Sequence, residues 1–230
     1  MRLPVIISTY NRFGLLKQTL DSLRKNSDNE LEIVVVCDNL DEANPDLADK
    51  RKEYLDSQKD IAHFYFGEKA TIAQVKRRGF SMVSKQPYVY FSDDDVYFEP
   101  HWDTKLIEVL ETFPDIGVIG GLHHPHHVVF STRESKLGNI LICEQQAGYS
   151  LMLRREDYLS IGGYEISERT KNGGEDTLIC DMIKERKKLV AAIDPPVLIH
   201  CGLYNYRGLH AADFQGMEII RSQRPEILFE

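Results

Sequence analysis

Five short apolar runs constrain this chain more than any other feature. LPVIIST (3–9), LEIVVVC (31–37), IAHFYF (61–66), YVYF (88–91) and IGVIGG (116–121) are largely continuous rather than alternating. A strand buried on both faces reads this way, whereas a strand with one wet face alternates. Helix-length segments separate the runs. Residues 12–26 carry Leu15, Leu16, Leu20 and Leu23 at helical spacing, and 40–60 is charged and polar, a loop followed by a helix. Residues 70–84 suit a helix with Thr71 at its N-cap, and Pro100 marks the start of a helix running to about Phe113. Strand and helix in alternation predict an α/β fold, a mainly parallel central sheet covered by helices on both faces.

The second half is patterned differently. Residues 122–147 read as irregular, with His123, His124, His126 and His127 around Pro125. Short strands are expected near 128–130, 139–143 and 148–153, then a helix from Arg155 to Ser160 ended by Gly162 and Gly163. A further helix runs from about Glu175 to Lys187, followed by VAAI (190–193), PVLIH (196–200) and a polar tail. No repeat, low-complexity stretch or linker divides the chain, so one body of 1–230 is expected, with 42% hydrophobic residues to fill its core.

Charge and cysteines exclude several classes. A net charge of −8 argues against nucleic acid as a partner. The basic clusters at Lys76-Arg77-Arg78, at Arg154-Arg155 and within 184–188 read as solvated helix faces. Cys37, Cys143, Cys180 and Cys201 are far apart and form no CxxC pair, so a zinc knuckle is unsupported and reduced, buried thiols are expected. There is no signal-peptide layout and no apolar run near the roughly 18 residues of a membrane span. The expectation is a soluble, cytoplasmic protein, compatible with peripheral attachment to a membrane.

In a parallel sheet, ligands bind beyond the carboxyl ends of the strands. Those ends carry Thr9-Tyr10-Asn11, Asp38-Asn39 and Asp93-Asp94-Asp95. A turn or helix cap needs one aspartate, not three adjacent carboxylates that repel one another. A divalent cation removes the repulsion, and Mn²⁺ or Mg²⁺ prefers such oxygen ligands together with phosphates. A second acidic pair, Glu175-Asp176, follows Gly173-Gly174 in the first turn of a predicted helix. The helix dipole favours acids there, and a carboxylate beside an activated electrophile can also serve as a general base. His200 ends PVLIH and reaches the same rim if that strand joins the sheet in the same direction. The HHPHH run looks like a loop at the edge of the cleft rather than a metal site.

In this order and spacing the motifs resemble glycosyltransferases of the GT-A fold, most closely the inverting enzymes of family 2. PVIISTYNR resembles the opening strand beside the nucleobase, EIVVVCDN the second strand with its base-reading aspartate, and FSDDDVYF the Asp-x-Asp metal motif. VKRRG resembles the Ala-Arg-Asn-x-Gly element, with Lys76 at its Arg and Arg77 at its Asn. QAGYSLMLRRE resembles the glycine segment before an Arg-Glu helix start, and GGYEIS…GGED the acceptor-side turn and the Glu-Asp motif.

The resemblance implies a GT-A domain, its mainly parallel sheet flanked by helices and joined by an acceptor-side mixed subregion, in which 1–121 binds the nucleotide sugar and 122–230 binds the acceptor and includes the C-terminal tail. The donor is expected to be UDP-, dTDP- or GDP-linked and the acceptor a glycan or other hydroxyl. Thr9, Tyr10, Arg12, Asp38, Lys76, Asp93 and Asp94 are its implied donor-binding residues. Asp95, with Asp93 and His200, is implied to hold Mn²⁺ or Mg²⁺. Asp176 is the implied base, with Glu175 as the alternative, for a single displacement without a covalent intermediate. A sugar nucleotidyltransferase would share the sheet, metal and nucleotide, but it should place a glycine-rich basic loop where this chain has STYNRFG. A phosphohydrolase would need a positioned water or nucleophile, and a non-catalytic binding module would have no use for the second acidic pair.

Overall fold

The computed structural model describes residues 1–10, 12–38, 45–66, 69–124, 127–166, 170, 174–202 and 224–228. Its elements, in chain order, are β1 (Arg2–Thr9), α1 (Phe13–Asn26), β2 (Glu30–Cys37), α2 (Pro45–Ser57), β3 (Ile61–Tyr65), α3 (Ile72–Met82), β4 (Tyr88–Asp93), β5 (Val96–Phe98), α4 (Trp102–Thr112), β6 (Ile116–Gly120), β7 (Val129–Ser135), β8 (Gly138–Cys143), β9 (Ser150–Arg154), α5 (Arg155–Ser160), α6 (Glu175–Glu185), β10 (Leu189–Asp194) and β11 (Leu198–His200). Nine of the strands form one sheet in the order β3-β2-β1-β4-β9-β6-β10-β8-β7.

The continuous apolar runs do what their pattern requires. In β1, Leu3, Val5 and Ile7 enter one core while Ile6 enters the other; in β4, Tyr88 and Tyr90 part from Val89 and Phe91 in the same way. Successive side chains point to opposite faces, so only a sheet covered on both sides can bury them all. One face is covered by α1, α2 and α4, through Leu16, Leu55 and Trp102; the other by α3, α5 and α6, through Val75, Tyr158 and Ile183. Residues Thr71 and Gln74 cap α3 reciprocally, Gln74 N–H donating to Thr71 Oγ1 at 3.2 Å and Thr71 N–H to Gln74 Oε1 at 2.8 Å. Late in α3, Gly79 lies so close to β1 that a Cβ there would stand 2.3 Å from Ile6 Cγ2.

Three sequence expectations need correction. Pro100 does not open α4: His101 is the N-cap, at φ 64°, and the helix begins at Trp102. Residues 122–147 are more regular than their polarity suggests, because β7 and β8 pair as an antiparallel hairpin from Val129 to Cys143. The strand ending in His200 does not join the main sheet; β11 pairs antiparallel with β5, Leu198 opposite Phe98 and His200 opposite Val96. The sheet is mainly parallel, as expected, with β9 running antiparallel between β4 and β6. Most of the polar tail lies outside the described residues, but 224–228 return to α1, where Ile227 is buried with Leu15 and Cys201. No helix among the described residues is long and apolar enough to cross a membrane.

Candidate active site

The carboxyl ends of β1, β2 and β4 converge because the three strands are adjacent and parallel: Ser8 pairs with Asp93 and Thr9 with Cys37. One cleft is accordingly lined by Ser8, Thr9, Tyr10, Arg12, Asp38, Asp93 and Asp94, with Ile72 and Val75 of α3 as its apolar side. Its enclosed part is about 100 Å³. A larger cavity of about 440 Å³ on the outer face of α1 contains no residue of this rim. At the base of the cleft Asp38 accepts from Ala70 N–H at 2.6 Å, which fixes its carboxylate beside the start of α3. Tyr10 is 51% exposed and presents its ring at the mouth. Asn11 and Asn39 lie outside the described residues.

The three aspartates join β4 to β5 and point in three directions. Asp93 accepts from Ser8 Oγ at 2.8 Å and lies 3.6 Å from Lys76 Nζ. Asp94 is buried and accepts from Thr9 Oγ1 at 2.5 Å and from Tyr10 N–H at 3.2 Å. Burial and the neighbouring Asp95 charge push its carboxyl well above the usual carboxylate range. Asp95 is 2% exposed and is held from two sides, by Arg12 Nη1 on Oδ2 and by His200 Nε2 at 3.3 Å from Oδ1. Burial opposes its charge, but the contacts with His200 and then Arg12 outweigh burial and hold it below the usual range. Gly202 closes this corner: a Cβ on it would stand 2.1 Å from Asp95 Oδ2.

This corner fits a hard divalent cation. Asp95 Oδ1 is buried without an aligned hydrogen bond among the described residues and faces an imidazole. The ring of His200 is itself oriented by Tyr149, stacked on it at 4.5 Å between centroids and 29° between planes. Among the described residues no three His, Cys, Asp or Glu converge closely enough to hold a metal by themselves. Asp95 and His200 meet, whereas Asp93 is engaged by Ser8 and Lys76, so the expected three-ligand set is not assembled. Two protein ligands suffice for Mn²⁺ or Mg²⁺ where a diphosphate and water complete the shell.

The second acidic pair sits where α6 begins. Gly174 at φ 80° is the N-cap, a left-handed conformation that glycine adopts without strain, and it places Glu175 and Asp176 in the first turn. Asp176 Oδ2 accepts from Gly148 N–H at 3.0 Å, and its Oδ1 accepts from Thr177 N–H at 2.7 Å. Glu175 is buried, and burial raises its carboxyl above the usual range despite Lys76 3.6 Å away. Of the pair, Asp176 is the one left partly open to solvent.

Lys76 is 0% exposed and sits between the two acidic motifs. Burial alone would lower its pKa, but Asp93, Glu175 and Asp176 outweigh burial and raise it. Arg77 and Arg78, beside it in sequence, are exposed. The solvated-face reading of this cluster fits Arg77 and Arg78 but not Lys76, which the VKRRG element singles out and which is buried; no motif singles out Tyr149. Of the histidine run, His123 Nε2 contacts His127 O at 3.0 Å and the His124 and His127 rings lie 5.0 Å apart. His126 lies outside the described residues.

Comparison with known proteins bears on the family and the fold. The sequence model of glycosyl transferase family 2 matches residues 5–177. A glucosyl-dolichyl phosphate glucuronosyltransferase of Haloferax volcanii is 21% identical over 227 residues, covering 90% of this chain and 71% of the relative. An uncharacterized glycosyltransferase of Nostoc sp. is 28% identical over 54% of this chain and 36% of its own length. Among solved structures, a mannosyltransferase of Pyrobaculum calidifontis in complex with GDP-Man and Mn²⁺ superposes with a TM-score of 0.59 at 18% identity, over 84% of this chain and 57% of that one. GalNAc-T7 with UDP, GalNAc and Mn²⁺ superposes at 0.68 and 15% identity, over 87% of this chain and 44% of that one. This chain thus spans about half the length of those two structures and shares their GT-A fold.

Proposed function

Since the chain belongs to glycosyl transferase family 2, we propose that it is a metal-dependent inverting enzyme. It moves a sugar from a nucleoside-diphosphate donor to an acceptor hydroxyl. The observation that carries this reading is the reach of one buried side chain: Lys76 Nζ lies 3.6 Å from both Asp93 and Glu175, which brings the two acidic motifs side by side. The halves then divide as donor side (1–121) and acceptor side (122–230).

Each residue has a task its surroundings suit. Asp38 accepts the imino N–H of a uracil, thymine or guanine base, with Thr9 and Tyr10 lining the pocket. Asp93 faces the ribose, and Asp94 braces the β1 end through Thr9 and Tyr10. Asp95 and His200 hold Mn²⁺ or Mg²⁺, which when bound neutralises charge on the departing diphosphate. Arg12, on the same carboxylate, supplies a cation to the phosphates. Asp176, oriented by Gly148 N–H, takes the acceptor proton while the hydroxyl attacks the anomeric carbon from the face opposite the leaving group. Glu175 is less suited, being buried against Lys76.

The Haloferax volcanii relative, a glucosyl-dolichyl phosphate glucuronosyltransferase, puts lipid-phosphate-linked sugars among the acceptors worth testing. Four free, buried cysteines support a reducing compartment such as the cytoplasm. The test is Asp176→Asn, which should bind nucleoside diphosphate with metal as the wild type does and lose transfer. Retained transfer would move the base elsewhere.

A further inference from the structure

We propose that Lys76 is a positioning residue for the base, not a ligand of the donor phosphates. The inference rests on the transfer reading with Asp176 as base.

The geometry around Gly148 points to it. Lys76 Nζ donates to Gly148 O at 2.8 Å, and Gly148 N–H donates to Asp176 Oδ2 at 3.0 Å. One residue of the segment before β9 is therefore gripped at its carbonyl by Lys76 and grips Asp176 with its amide. The same ammonium lies 3.6 Å from Glu175 Oε1, the residue preceding Asp176, and so ties down the first turn of α6 from a second side. Its third neighbour is Asp93 Oδ1, also at 3.6 Å, at the tip of β4. The contact needs a residue without a side chain: a Cβ on Gly148 would stand 3.0 Å from Lys76 Nζ, 3.2 Å from Glu175 Oε1 and 3.3 Å from Asp176 Cβ.

A phosphate role does not fit this arrangement. An ammonium has three N–H groups, and here a carbonyl and two carboxylates surround it. The side chain is 0% exposed, so a diphosphate could reach it only by breaking the contacts that hold Glu175 and Gly148. What Lys76 controls is where Asp176 points, and with it the rate of proton removal once donor is bound.

The experiment separates rate from binding. Wild type, Lys76→Met and Asp176→Asn are compared for nucleoside-diphosphate release from a panel of UDP-, dTDP- and GDP-sugars with Mn²⁺ and water as acceptor. Affinity for the corresponding diphosphate is measured by calorimetry. Misplacing a catalytic group by an ångström costs about 100-fold, so Lys76→Met should lose rate on that order at saturating donor and keep the diphosphate affinity. If Lys76→Met does not fold, Lys76→Met with Glu175→Gln removes both partners of the buried pair, and the same split is expected. Weakened diphosphate affinity at an unchanged saturated rate would make Lys76 a donor ligand and overturn the inference. An unchanged rate in Lys76→Met, beside a dead Asp176→Asn, would overturn it alone. Full rate in Asp176→Asn, or no release by the wild type from any donor, would instead remove the reading beneath it.

Discussion

Replacing Gly202 by alanine should disable the metal corner while leaving the rest of the fold in place. The Cβ of Gly202→Ala would stand 2.1 Å from Asp95 Oδ2, 3.0 Å from Asp95 Cγ and 3.2 Å from Arg12 Nη1. Ordinary carbon contacts begin near 3.4 Å, so the oxygen must retreat by about 1.3 Å or the Gly202 backbone must move away. The carboxylate has little room to retreat, being 2% exposed with Arg12 on one oxygen and His200 facing the other. Overpacking of this kind costs about 1–3 kcal/mol. If that cost falls on the metal-binding geometry, Mn²⁺-dependent diphosphate affinity drops by about 5- to 150-fold. Calorimetric titration of nucleoside diphosphate with Mn²⁺ reads the loss, repeated in EDTA to isolate the metal-independent part, with a thermal melt as control. Wild-type affinity in Mn²⁺ would refute the assignment of Asp95 as the metal-holding carboxylate.

Other substitutions probe the frame. Gly79→Ala in α3 should gain about 1 kcal/mol of helix propensity, but the 2.3 Å approach to Ile6 Cγ2 adds a penalty of about 1–3 kcal/mol. A lowered melting temperature is therefore expected, and a raised one would mean that α3 stands further from β1. Burial holds the His127 imidazole below its usual 6.5 against the opposing charge of Asp176. The unfolded chain then takes up that proton first as pH falls, so this contribution to stability is complete above about 6.5 and is lost through the window beneath it. His127→Gln should flatten the melting-temperature profile in that window; an unchanged slope would contradict the shift. Asp176→Asn, as set out above, should separate binding from transfer.

What could be read in the sequence follows from how local each signal is. The strands β1, β2, β4 and β6 were legible because burial on both faces writes itself as an unbroken apolar run. Asp38, Asp93, Asp94 and Asp95 were legible because adjacent parallel strands must bring their carboxyl ends together. The place of β9 was not, since strand order in a sheet is a non-local property and SLMLR reads the same in any position. The pairing of β11 with β5 was hidden for the same reason: each contributes three residues, too few to carry a period. The VKRRG element marked Lys76, but its burial was not legible, because a lysine beside two arginines looks solvated: Arg77 and Arg78 are exposed whereas Lys76 is buried. Tyr149 was missed because its role exists only through a contact with His200, fifty-one residues on.

The central claim is that the β1, β2 and β4 ends hold a nucleoside diphosphate through a metal at Asp95. Calorimetric titration of UDP, dTDP, GDP and CDP, each with Mn²⁺ and with EDTA, tests it most directly. The account predicts binding of a uridine, thymidine or guanosine diphosphate that depends on the metal and is lost in Asp95→Ala with the fold intact. Metal-independent binding, or no binding by any of the four, would contradict it.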